Sequence, residues 1–288
     1  MDNNKSGFKK SIYVLTLFTG VLGGLSAFQL NPFSLLLKCW IYSQEKSLDY
    51  HSFCSNETLL LETDFTSVTT KWSLLNTLSV VTGIASAFLG IISADVLGLT
   101  ETLLLASTGH LIGQINFASA IFTNSYVHLS ISRSIDAFTR GFYFIIVPVM
   151  IKEVSQSGWA SAIYTIGLNI GQVVMVILGL NQVLGGSSAW SNAAFVASGC
   201  ILLNIILIVV IKIFFAAENE NILKNRSGEK TSSKKFGQMV LKLLRTKSEL
   251  KVVAFVATIF FVVLGGGGVV ALTFYSTNAI LKMGFRQV

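Results

Sequence analysis

The feature that most constrains this 288-residue chain is a series of seven apolar stretches, each long enough to cross a lipid bilayer. A hydrocarbon core of about 30 Å takes roughly 20 residues of α-helix. Backbone in lipid must satisfy its own hydrogen bonds, and continuous apolar runs favour helices over the alternating strands of a barrel. The sequence therefore predicts an all-α membrane protein, with spans at about 12–31, 73–94, 101–123, 129–151, 160–180, 189–215 and 252–278.

Composition supports this interpretation. Charged residues make up 12% of the chain, whereas soluble domains have roughly 25%, and the apolar content excludes a disordered chain. Three cysteines are too few for a disulfide-dense scaffold and match no zinc spacing. The sequence has no nucleotide-binding loop, catalytic triad or metal cluster, and His51, His110 and His128 are isolated in it. We therefore expect neither an enzyme nor a cofactor.

The distribution of basic residues predicts the orientation in the membrane. Lys5, Lys9 and Lys10 precede the first span, and the segment 216–251 is strongly basic. Because basic residues near span ends stay in the cytoplasm, we expect the N-terminus and this segment inside the cell. The net charge of +7 then reflects topology and not nucleic-acid binding. A cleaved signal peptide at the N-terminus is the competing interpretation.

The loop 32–71 is expected outside, and it carries the glycosylation sequon of Asn56. A second sequon, at Asn225, lies in the basic segment and is expected to stay unmodified. The plasma membrane is the expected location.

Three parts follow along the chain. We predict an N-terminal bundle of six helices at 1–215, a basic cytoplasmic linker at 216–251, and a seventh helix at 252–288 that begins an incomplete C-terminal bundle. The linker contains apolar residues at helical spacing, which favours a short amphipathic helix on the inner membrane face over a solvated linker. Gly265–Gly268 interrupt the seventh span, which suits either a bendable gate or close helix packing.

The fourth span contains an unusual group of charges. Arg133, Asp136 and Arg140 are spaced i, i+3, i+7 and so share one helix face. Charges inside a membrane normally face a bundle interior or an aqueous cavity, which predicts an ion-pair or gating role. The alternative is that Arg133 reaches the membrane surface and only Arg140 lies inside.

The fifth span carries a polar stripe formed by Thr165, Asn169 and Gln172. Amides both donate and accept hydrogen bonds, so such a stripe suits a neutral, polyhydroxylated solute. Hydrogen bonding between helices is the alternative, and it is the favoured interpretation for Gln114 and Asn116 in the third span. A carrier requires the stripe and the charges of the fourth span to face one aqueous cleft.

Several motifs resemble the sugar-porter (facilitative glucose transporter-like) branch of the major facilitator superfamily. The family opens its fourth helix with Gly-Arg and closes it with Pro-x-Tyr-x-x-Glu, where this chain has Ser132-Arg133 and Pro148 to Glu153. Further similar positions are Gly158, Tyr164 and Gly171 in the fifth helix, Gly90 to Asp95 with Gly98 after the second, Glu218 after the sixth, and Gly268 to Phe285 at the seventh.

The resemblance implies twelve helices in two bundles, with the solute at the midplane between them. It implies a cytoplasmic ion-pair network of Asp95, Arg133, Glu153 and Glu218. Departures from the family pattern are the loss of basic residues at Val96 and Leu99 and of amides at Leu264, Gly265 and Val270.

The function expected from these features is facilitated diffusion of a small neutral, sugar-like solute by alternating access, with hexoses among the candidates. The solute would contact Thr165, Asn169 and Gln172, and the lipid bilayer would be the other partner. The alternatives are a transport-incompetent truncated isoform, fragment or partner subunit, because this sequence extends only to the seventh helix, and a seven-helix receptor, which the predicted orientation disfavours.

Overall fold

The computed structural model describes residues 2–30, 32–55, 63–155, 158–180, 183–186 and 190–215, all within one unit, Met1–Asn221. They form α1 (Asp2–Phe28), α2 (Ser34–Glu45), α3 (Tyr50–Cys54), α4 (Thr66–Leu97), α5 (Leu99–Thr123), α6 (Tyr126–Val154), α7 (Gly158–Leu178) and α8 (Trp190–Phe214). No strand occurs in these ranges, so the all-α prediction is confirmed. Asn56, Glu218, the linker and the seventh span lie outside the described residues.

Most of the long helices are apolar enough to cross a membrane. Within the described ranges, α4, α6, α8 and the part of α1 from Ser6 to Ala27 meet that requirement by length and composition. Helix α7 contributes a shorter apolar stretch, Ala162–Leu178. Helix α5 has 25 residues but is more polar, and its polar side chains Ser107, His110 and Gln114 are buried inside the bundle. The fold is that of a multi-pass membrane protein.

Helix α6 lies at the centre of the bundle. It packs extensively on α4 and α5 and also contacts α1 and α7, while α5 packs on α8. Short connections place neighbouring helices antiparallel; Gly98 alone joins α4 to α5, with a φ of 97° that favours glycine. The central position of α6 explains why its charged face is buried.

Helices α1 and α7 approach each other through glycines. A Cβ on Gly20 would lie 2.5 Å from the carbonyl oxygen of Tyr164, and a Cβ on Gly171 would collide with the carbonyl oxygen of Val21. Small residues allow membrane helices to pack backbone against backbone. This contact sets the rotation of α7, because the side that carries Gly167 and Gly171 must face α1.

The loop between α1 and α4 is a folded cap that contains α2 and α3. A disulfide joins Cys39 to Cys54 with a Cα–Cα distance of 6.0 Å. Trp40 packs against Trp190 at the start of α8, with ring centroids 6.4 Å apart. This disulfide was not predicted, because three cysteines in a chain of this length leave the pairing open.

Candidate functional site

The charged face of α6 is buried in the bundle. Arg133, Asp136 and Arg140 are 3%, 0% and 9% exposed. The Nη1 atom of Arg133 donates to Asp136 Oδ2 at 2.7 Å and to the carbonyl oxygen of Ser26 at 2.9 Å. The Nη2 atom of Arg140 lies 3.6 Å from the same Oδ2. Arg133 therefore points into the interior against α1, and the interpretation that it reaches the membrane surface is wrong.

Helix α5 supplies the remaining partners of Asp136. His110 Nε2 lies 2.9 Å from Asp136 Oδ1, and Gln114 Nε2 donates to that oxygen at 2.7 Å. The two helices are close here because α5 has Gly113, where a Cβ would lie 2.9 Å from the backbone nitrogen of Asp136. The prediction that His110 is isolated is wrong. The sequence did contain a signal for this contact: the third span has Ser107, His110 and Gln114 at i, i+3, i+7, which places three polar side chains on one helix face.

The contacts continue from His110 to α8 and α1. The hydroxyl of Tyr143 lies 3.2 Å from His110 Nδ1 and donates to Ser107 Oγ at 3.1 Å. Asn204 donates to the same serine at 3.2 Å and accepts from Thr19 at 3.3 Å. We call this set the buried polar network; it comprises Thr19, Ser26, Ser107, His110, Gln114, Arg133, Asp136, Tyr143 and Asn204.

The buried polar network joins four helices, α1, α5, α6 and α8. Asp136 is its centre, and the carboxylate accepts from several donors at once, as a buried charge requires. Helices held together in this way are suited to move as one body and not separately.

The residues expected to form a cytoplasmic gate do not all come together. Arg133 and Glu153 are twenty positions apart on α6, which is about 30 Å at 1.5 Å per residue. A single network that contains both is therefore not formed. Asp95, near the end of α4, and Glu153, near the end of α6, lie at one end of the bundle, and both engage other groups.

The stripe on α7 lies apart from the buried polar network. Thr165 and Asn169 are exposed on the side of the helix, and Gln172 is half-buried. The glycine face of α7 is turned to α1, and residues roughly a third to a half of a turn away therefore point out of the described bundle. The cleft expected to be shared by the stripe and the charges of α6 is not enclosed within the described residues.

Long apolar helices packed around a buried ionic network define a multi-pass membrane protein. The family model described as "Sugar (and other) transporter" matches residues 12–288. The chain therefore belongs to this family, the sugar porters of the major facilitator superfamily, whose members are transporters and not enzymes. The resemblance noted in the sequence is thus confirmed. No curated protein matches the chain.

Proposed function

We propose that this protein carries a small, polyhydroxylated, sugar-like solute across the membrane by facilitated diffusion with alternating access. Family membership implies transport of a sugar or a related solute. The observation that carries the finer proposal is the position of the polar stripe on α7. Thr165 and Asn169 are exposed near the middle of α7 and point away from the helices that pack on it.

The exposed surface of α7 divides into two stripes. Ile166, Ile170 and Val173 form an aliphatic stripe that suits lipid. Thr165 and Asn169 lie beside this aliphatic stripe. The amide of Asn169 would be unfavourable by several kcal/mol if it faced hydrocarbon without hydrogen-bond partners. A water-filled cleft avoids this cost. In such a cleft Thr165, Asn169 and Gln172 can donate to and accept from the hydroxyls of a solute.

The buried polar network supports the mechanism. Alternating access in this class of fold is largely rocking of one bundle against another around a fixed site. Such a motion needs a bundle that does not deform, and the network ties α1, α5, α6 and α8 to one another through buried hydrogen bonds. We propose that Asp95, Glu153 and Glu218 act at the cytoplasmic gate, whereas Arg133 acts inside the bundle.

We propose that the N-terminus lies in the cytoplasm and that the protein resides in the plasma membrane. The cap between α1 and α4 contains the disulfide Cys39–Cys54. Disulfides persist in oxidising environments such as the cell exterior. This supports the placement of the cap outside, as the basic residues of the sequence indicate.

The test is uptake into liposomes that contain the full chain, with radiolabelled hexoses and polyols as solutes. We expect Asn169→Leu and Gln172→Leu to lower uptake roughly tenfold or more, because each removes a hydrogen-bonding group from the solute path. Ile170→Leu, on the neighbouring aliphatic stripe, is the matched control and should leave uptake unchanged. Equal uptake by wild type and Asn169→Leu would count against the proposal, and a folded wild type that takes up no solute would favour the transport-incompetent alternative.

A further inference from the structure

Arg140 has no carboxylate to itself, because it shares Asp136 with Arg133. The Oδ1 atom of Asp136 is occupied by His110 and Gln114, and Oδ2 receives Arg133 at 2.7 Å. Arg140 Nη2 is 3.6 Å from Oδ2, which is beyond hydrogen-bonding distance. Within the described ranges Arg140 makes no hydrogen bond, although it is only 9% exposed.

The membrane-spanning sequence has no second carboxylate to balance this charge. Asp136 is the one Asp or Glu that lies within the seven predicted spans and away from their ends. Arg133 already neutralises it through a short hydrogen bond. A cation inside a membrane without a carboxylate of its own is expensive, and such residues are normally paired or mark a path for a charged group.

A tyrosine on α7 has a hydroxyl without a hydrogen bond. Tyr164 on α7 is 4% exposed, and its hydroxyl has no hydrogen-bond partner among the residues that the structure describes. Phe144 follows Arg140 by one helical turn, is 48% exposed, and packs edge-on against Tyr164 with ring centroids 6.0 Å apart. Where α6 faces α7, a guanidinium without a hydrogen bond thus lies one helical turn from an open aromatic ring, and that ring packs on the tyrosine.

We propose that Arg140, Tyr164 and Phe144 bind a sugar acid, with the carboxylate of the solute on Arg140. The planar guanidinium can donate two parallel hydrogen bonds to a carboxylate. The Tyr164 hydroxyl adds a third donor, and the ring of Phe144 covers an apolar face of the sugar. This inference rests on the proposed transport function and refines its substrate class, because the amides of α7 bind hydroxyls and Arg140 selects an anion.

Binding to the purified full chain tests the charge preference. The probes are D-glucuronate and D-glucuronamide, which share a ring and differ in one negative charge, and binding is measured by the shift of the unfolding temperature with concentration. We expect glucuronate to bind more tightly. Arg140→Gln should weaken glucuronate binding by roughly ten- to a hundredfold and abolish the preference, whereas Arg140→Lys should retain part of it. Lys212→Gln removes a positive charge at the end of α8 and should change nothing.

The variant Tyr164→Phe distinguishes an effect on solute binding from an effect on folding. The hydroxyl of Tyr164 has no partner within the described part of the chain, so the variant should unfold at the wild-type temperature without ligand and bind glucuronate several-fold more weakly. Equal binding of both probes to wild type, or a preference that survives Arg140→Gln, overturns the inference. If neutral hexoses are taken up and glucuronate is not preferred, the inference fails and the proposed function stands; if neither kind of solute binds or is taken up, both fail.

Discussion

His110 on α5 and Asp136 on α6 form a fully buried pair, with 2.9 Å between the imidazole Nε2 and the carboxylate Oδ1. The two residues are brought together by Gly113, which allows α5 to approach the backbone of α6. Asp136 also receives Arg133 and Gln114. The stability of the bundle therefore depends on this carboxylate more than on any charge at a helix end.

Asp136→Ala should lower the free energy of unfolding by about 3–5 kcal/mol, because it leaves Arg133 buried without its counter-charge. Glu101→Gln is the control. Glu101 pairs with Lys212 at 2.6 Å, but both side chains are well exposed, and such pairs contribute about 0–1 kcal/mol. Denaturant titration of the purified protein measures both changes, and similar losses for the two variants would contradict the assigned role of Asp136.

Two buried tyrosines provide a matched comparison. Tyr143 contacts His110 and Ser107 through its hydroxyl, whereas the hydroxyl of Tyr164 has no partner. Tyr143→Phe should cost about 1–3 kcal/mol of unfolding free energy because it leaves buried groups unpaired, and Tyr164→Phe should cost close to nothing. The same titration reports both values; a larger loss for Tyr164→Phe would show that its hydroxyl has a structural partner.

Gly171→Ala should destabilise the protein by about 1–3 kcal/mol, the usual effect of overpacking. The added methyl would collide with the carbonyl oxygen of Val21 and force α1 and α7 apart. Gly199→Ala in α8 is the control, since a Cβ there has nothing within 4 Å, and it should stabilise the helix by up to about 1 kcal/mol. Thermal unfolding of the two variants checks the sign of each change; stabilisation by Gly171→Ala would exclude the close contact.

The disulfide predicts how many thiols react. The chain has three cysteines, of which Cys39 and Cys54 are joined and Cys200 is free. The denatured protein should therefore take up one maleimide–polyethylene glycol tag before reduction and three after it, as seen by gel mobility. Three tags without reductant would show that the cap is not crosslinked.

The orientation predicts which sequon is modified. Expressed in a eukaryotic cell, the protein should carry a glycan on Asn56 and none on Asn225, because only the first faces the lumen in the proposed orientation. Asn56→Gln should abolish the mobility shift caused by glycosidase, and Asn225→Gln should leave it intact. The reverse result would place the N-terminus outside.

Properties that depend on neighbours along one helix were accessible from sequence. The length and apolar character of the spans predicted helices, and the i, i+3, i+7 spacing placed Arg133, Asp136 and Arg140 on one face, because a helix repeats every 3.6 residues wherever it forms. The order and spacing of motifs along the whole chain indicated the family. Neither result required knowledge of which helices touch.

Contacts between helices were decided by the tertiary structure. The pairing of His110 with Asp136, the bond between Cys39 and Cys54, and the outward rotation of Thr165 and Asn169 each depend on how one helix is turned against another. That rotation is set by glycine contacts and side-chain packing, which hydropathy does not encode. For this reason the sequence determined which segments are apolar enough to cross the membrane. The packing determined that both oxygens of Asp136 have close partners and that Arg140 has no hydrogen bond.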